Sequence, residues 1–189
     1  MEKNKAYSLA EALLTIGLIA VIGLLTVSTL RGFSDEKEYV AGTKKAFKTL
    51  DSATSSLQIK KTNWTESIFA DYSDVLSGMT HDTDYTIKDL AGNEVQDGEG
   101  NTKKIDSSNS ILATDGMIWV PESATGKALK MIVDVNGAAP PNVQGLDVQE
   151  FVVDTDGNVE PSGTCTSYIV QYEKLPWLDD SSLTECPAP

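Results

Sequence analysis

Nineteen consecutive residues from Ala12 to Leu30, ALLTIGLIAVIGLLTVSTL, carry no charge. Such a run must be covered by lipid or protein, or be cut away. At 1.5 Å per helical residue it measures about 28 Å, near the thickness of a bilayer's hydrocarbon core, and it therefore predicts a helix that crosses a membrane. The competing reading is a secretory signal peptide with Met1 to Lys5 as its basic head. Signal peptides have apolar centres of about 7–15 residues followed by a small-x-small cleavage site. Here the run is longer and leads into Leu30, Arg31, Gly32 and Phe33. Glu11 stands at its lip, where a carboxylate drawn to the bilayer centre costs about 2.5–3.5 kcal/mol and so asks for a partner.

Charge is distributed as unevenly as hydropathy. The 189 residues hold 28 acidic and 15 basic side chains, a net charge of −13. Residues 1–62 contribute +3 and residues 63–189 contribute −16. A surface that binds nucleic acid needs clustered Lys and Arg, so that class is excluded as a main purpose. His81 is the sole histidine and Cys165 and Cys186 are the sole cysteines, too few for a zinc ribbon or a His-rich centre. Lys and Arg are more numerous after the span than before it, but the positive-inside rule is weak for long translocated domains.

The segment before the span reads Lys5-Ala6-Tyr7-Ser8-Leu9-Ala10-Glu11, with Lys3 upstream. It resembles the type IV prepilin superfamily, which includes type IV pilins and the pseudopilins of type II secretion systems. That signature is a basic leader, a small residue, an aromatic, Ser or Thr, Leu, any residue and Glu, then about twenty apolar residues. The resemblance implies that a prepilin peptidase cuts between Ala6 and Tyr7 and that the new amine of Tyr7 is methylated. It also implies that Glu11 meets the N-terminal ammonium of a neighbouring subunit as helices pack into a filament, a pairing that makes each buried charge tolerable. Two residues depart from the pattern: Ala6 replaces the usual Gly, and Ser28 stands where many pilins carry a kinking Pro.

Beyond the span, Phe33, Val40, Phe47, Leu50, Ala53 and Leu57 recur at the spacing of one helical face, which predicts a helix to about Ile59. Lys44, Lys45 and Lys48 lie off that face, either as a solvated surface or as a stripe for anionic lipid. Trp64 to Leu76 reads as a second helix, and Asp89 to Lys104 as an exposed loop with a ragged hairpin at Gly92-Asn93. Strands are predicted at 110–113, 117–120, 129–135, 148–154 and 168–172, parted by Asp115-Gly116, Asn136-Gly137 and Asp156-Gly157, which suits an antiparallel sheet. No internal repeat is legible.

Asp134, Asn136, Asn142 and Asp147 concentrate oxygen-bearing side chains around a Gly/Pro loop. Two readings stand: a Ca²⁺ site, which wants six to eight oxygens, or a turn, which also favours Asn and Asp. Major pseudopilins carry calcium in a loop of the sheet region, so the resemblance adds calcium as a possible cofactor. Asp154-Thr-Asp156-Gly-Asn158 lacks the remaining ligands of an EF-hand and reads as a hairpin turn, and the sequon at Asn63 receives no role. Cys165 and Cys186 are expected to form a disulfide in an oxidising compartment, contributing about 3 kcal/mol by closing a loop of about 22 residues. Type IV pilins commonly close their C-terminal region in this way. No G-x-S-x-G, H-E-x-x-H or Walker-type motif occurs, and His81 lies in a polar stretch, so no enzyme is expected.

The expected fold class is α+β, pilin-like: a long N-terminal helix, membrane-spanning in its first half, packed on a C-terminal antiparallel sheet head. The expected divisions are a leader (1–6), a transmembrane and filament-core helix (7–30), its amphipathic continuation (31–60), and an acidic α/β head with a C-terminal disulfide loop (61–189). The expected function is a structural subunit of a type IV pilus-like or type II secretion filament, resident first in the bacterial cytoplasmic membrane with its head outside the cytoplasm. Its partners would be prepilin peptidase, copies of itself and related pilins, the inner-membrane assembly platform and membrane lipid. The alternative is a membrane-tethered binding or adhesion domain that never polymerises.

Overall fold

The computed structural model describes residues 9–60, 68–122, 129–179, 183, 185–187 and 189. The chain divides into two units, Met1–Asp35 and Glu36–Pro189. Helix α1 (Leu9–Lys60) begins in the first and ends in the second, and its backbone is helical through Ser28. In the first unit every side chain from Leu13 to Ile22 is exposed, the large apolar ones by 52% to 72%.

These observations correct the expected fold class. Among the described residues no helix is long and apolar enough to cross a membrane, which corrects the expected membrane-spanning first half. The expected packing of the helix's continuation on a sheet is found within the second unit, through Ala46, Leu50, Ala53 and Leu57. What the structure shows is a small α+β protein with two antiparallel sheets.

The second unit is built around a five-stranded antiparallel meander in the order β3 (Ile111–Leu112), β4 (Ile118–Glu122), β5 (Leu129–Asp134), β6 (Val148–Val153) and β7 (Val159–Ser162). Both faces of its centre are covered, which explains the consecutive apolar residues Ile118–Pro121 of β4 and Met131–Val133 of β5. On one face Trp119, Val133, Met131 and Phe151 meet Ala46, Leu50, Ala53 and Leu57 of α1. Trp119 pairs with Val133 and Met131 with Phe151, so one register places all four inward. On the other face Ile118, Val120, Ile132 and Val148 meet Ile87 and Ile105, brought by the two-stranded sheet of β1 (Tyr85–Thr86) and β2 (Lys104–Ile105).

Helix α2 (Ile68–Val75) joins the first layer through Tyr72, whose buried hydroxyl lies 2.8 Å from Thr54 Oγ1 of α1. The part of the expected second helix before residue 68, with the Asn63 sequon, lies outside the described residues. Gly42 lets α1 pass close to the end of β5, since an added Cβ would lie 2.9 Å from Val135.

The stretch expected as a strand at 168–172 is instead helical, in α3 (Thr164–Tyr172). Tyr, Ile and Val favour strands locally, but helical spacing buries Thr166 and Ile169 together. Thr166 Oγ1 then accepts from the Glu150 amide of β6 and donates to Gln149 Oε1. The meander's last place goes to β7, whose Pro161 is tolerated at a sheet edge. The short α4 (Pro176–Asp179) adds Trp177 to a third cluster with Val40, Ile169 and Leu175.

Three turns share one construction. Asp89, Asp97 and Asp154 are each followed at the third position by Gly and at the fourth by Asn. In each, one Asp oxygen accepts from the Asn backbone amide at 2.8 Å and the other from the Asn side chain at 2.8–3.2 Å. The glycines have φ near +86°, the left-handed region that a side chain disfavours. These hydrogen bonds hold all three carboxyls below the usual carboxylate range.

Candidate functional site

The most unusual chemistry in the second unit lies where β5 hands over to β6. Asp134 ends β5 opposite Val148, and Asp147 immediately precedes β6, so the hairpin itself brings the two carboxylates to one place. Both are fully buried. The connection turns through Gly137, a cis Pro140–Pro141 bond, Asn142 and Gly145, the last two at φ 56° and 89°.

Asp147 accepts the Asn142 and Val143 amides, at 2.8 and 2.7 Å, one on each carboxylate oxygen. Asp134 accepts the Tyr85 hydroxyl at 2.8 Å on Oδ2 and the Asn136 amide at 3.3 Å on Oδ1. One corner of the Asn142 amide lies 3.3 Å from Asp134 Oδ2 and 3.1 Å from the Ala139 carbonyl. With its nitrogen there, Asn142 donates to both. Asn136 Oδ1 is buried without a hydrogen-bond partner.

Two carboxylates in one dry site resist ionising together. Burial, and next the charge of Asp147, push the Asp134 carboxyl up to about 8, against the hydrogen bond from Tyr85. Burial raises Asp147 too, opposed by the Val143 and Asn142 amides. Tyr85 is held un-ionised, first by burial and then by the charge of Asp134. The pair is therefore starved of positive charge: a proton or a metal ion relieves it.

All four sequence-predicted residues, Asp134, Asn136, Asn142 and Asp147, thus lie in one place. Tyr85 completes the cluster from 49 positions away, and nothing in its local sequence announces that contact. Among the described residues no group of three or more His, Cys, Asp or Glu converges. A cation here would rest on two carboxylates plus amide and carbonyl oxygens, a mixture that suits calcium and not zinc.

The remaining predicted residues fall elsewhere. Ala6 and Tyr7 lie outside the described residues. Glu11 belongs to α1 by its backbone. Cys165 and Cys186 are joined by a disulfide, with Cα atoms 5.1 Å apart. It packs on Gly145, where an added Cβ would lie 2.7 Å from Cys165 Sγ, while Trp177 Nε1 donates to the Gly145 carbonyl at 2.9 Å. The loop between the two aspartates is therefore clamped on its far side.

His81 forms a pair with Ser110 at 2.9 Å, a contact that superficially suggests a nucleophile and its base. The wiring runs the other way. Ser110 Oγ donates to the Asp106 carbonyl, and His81 Nδ1 accepts from the Thr83 amide at 3.3 Å. The ring proton consequently sits on Nε2 and points at the hydroxyl, the opposite of what deprotonating a serine requires.

No protein family, curated protein or solved structure matches this chain.

Proposed function

We propose that this chain is a structural subunit of a type IV pilus-like or type II secretion-like filament, assembled through its N-terminal helix. The observation that carries the reading is the exposed apolar run. Seven large aliphatic side chains between Leu13 and Ile22 are each more than half exposed. Full burial is worth roughly 1.5–3 kcal/mol for each, so covering them supplies on the order of 10 kcal/mol for association. An all-round apolar helix offers that surface to lipid before assembly and to neighbouring copies afterwards.

The N-terminal motif supports the same reading. Prepilin peptidase would cut between Ala6 and Tyr7 and methylate Tyr7, and Glu11 would then pair with the Tyr7 ammonium of the next copy. The subunit would wait at the bacterial cytoplasmic membrane with its acidic head outside the cytoplasm, and would engage the inner-membrane assembly platform and related pilins. The disulfide suits an oxidising compartment. No catalytic role is proposed.

Calcium belongs to the proposal as a structural ion. The orphaned Asn136 Oδ1 and the two buried carboxylates are what a hard cation would use. When bound, such an ion supplies charge neutralisation and cross-links the two strand ends.

Intact mass and N-terminal sequencing of the protein from its native host test the processing: the expected chain begins at methylated Tyr7. A chain beginning at Met1 or beyond Leu30 refutes it. Glu11→Ala should abolish filaments while the protein stays in the membrane, and unchanged filaments would favour a tethered binding domain.

A further inference from the structure

The second unit carries a groove of about 840 Å³ along α1, lined on one side by Lys44, Lys45 and Lys48 and on the other by Leu76, Ala113 and Asp115. Its floor is apolar, with Ala53, Leu76 and Ala113 buried. Its charges are unequal in availability. Lys44 is ion-paired with Glu173 at 2.7 Å and Lys45 with Asp115 at 2.9 Å. Lys48 is exposed and has no partner among the described residues. A free ammonium over an apolar floor is a feature to be matched, above all in a chain whose residues 63–189 carry a charge of −16.

The same chain holds a matching piece. Residues 89–101 contain Asp89, Glu94, Asp97 and Glu99 and no Lys or Arg. The tip, 97–101, is exposed, and Asp97 holds its shape by accepting the Glu99 and Asn101 amides at 2.9 and 2.8 Å. The Glu99 carboxylate has no partner among the described residues. A turn already locked by its own hydrogen bonds loses little entropy on docking.

We propose that this groove receives the Asp97–Asn101 turn of a second copy of the chain, with Glu99 paired to Lys48. This inference rests on the filament reading and names the head surfaces that would join successive subunits. The two patches differ, so the contact is heterologous, and a heterologous contact that does not close on itself builds an open filament. Anionic lipid suits the groove less well. Two of its three lysines are already neutralised within the chain, and recognition of an anionic membrane takes clusters of about four to eight.

The test is charge reversal in a host that assembles the full chain, with sheared filaments as the readout. Lys48→Glu and Glu99→Lys should each lower the yield severalfold at unchanged subunit level, and the double variant should recover most of it. Carbodiimide treatment of mixed heavy and light isotope-labelled chains should join Lys48 to Glu99 between copies. Wild-type yields from both single variants, or a double variant as poor as the singles with an undisturbed melting temperature, overturn the groove contact. Lys48→Glu losing binding to phosphatidylglycerol vesicles, with filament yield unchanged, overturns it in favour of lipid. If wild type forms no filaments, the filament reading fails by itself, and the isotope-mixed cross-link between copies still decides the groove.

Discussion

Asp134→Asn removes one charge from the buried pair while keeping the size and hydrogen-bonding reach of the side chain. The carboxyl is raised from 3.8 to about 8 in the folded chain, so between those values the native state holds a proton that the unfolded state releases. Stability should therefore be greatest near pH 4 with respect to this group and should fall as pH rises towards 8. At about 1.4 kcal/mol per unit, the full shift corresponds to an upper bound of roughly 6 kcal/mol, and relaxation of the site should leave about half of that. The assay is urea unfolding of the detergent-held chain, followed by tryptophan fluorescence at several pH values. Wild type should lose stability from pH 5 to 8, and Asp134→Asn should lose much less. Millimolar calcium should restore wild type at pH 8 and do little for the variant. Equal slopes for the two proteins would refute the buried-pair argument. Equal stabilities with and without calcium would remove the ion and leave the pair intact.

Other expectations come from packing. Trp119→Ala should cost about 3–5 kcal/mol, because the ring is fully buried in the helix-facing core. Trp119→Phe should cost distinctly less in the same unfolding assay, since it also removes an indole N–H buried without a partner. Replacing both Cys165 and Cys186 by Ser should cost about 3 kcal/mol under oxidising conditions and nothing extra in reductant. Gly157→Ala should lower the melting temperature, because φ there is +88° and Gln58, which donates to the Asp156 carbonyl at 2.6 Å, occupies the space a methyl would need.

Where chemistry is local in sequence, the chain could be read directly. Asp134 and Asp147 are 13 residues apart across a Gly/Pro loop, and the hairpin that joins them follows from two apolar runs flanking it. The Asp-x-x-Gly-Asn turns are equally local, since carboxylate, glycine and amide all lie within five residues. The uncharged run from Ala12 to Leu30 announces a need for cover in the same direct way, and the exposed side chains of 13–22 show that need unmet within the chain.

Other features depend on partners far along the chain. Tyr168, Ile169 and Val170 favour a strand in isolation, and they form a helix because Thr166 and Ile169 meet β6 on one face. Pro161 argues against a strand until the meander gives β7 an outer edge to occupy. Tyr85 reaches Asp134 because β1 is laid over the sheet by Ile87 and Ile105, which have no tie to Asp134 in sequence. Amino-acid order alone settled the turns, the acidic loop and the uncovered apolar run, because short-range sterics and hydrogen bonding decide them. The helix at 164–172, the edge strand and the raised pKa of Asp134 were decided by tertiary structure, because burial and distant charge act only once the layers have closed.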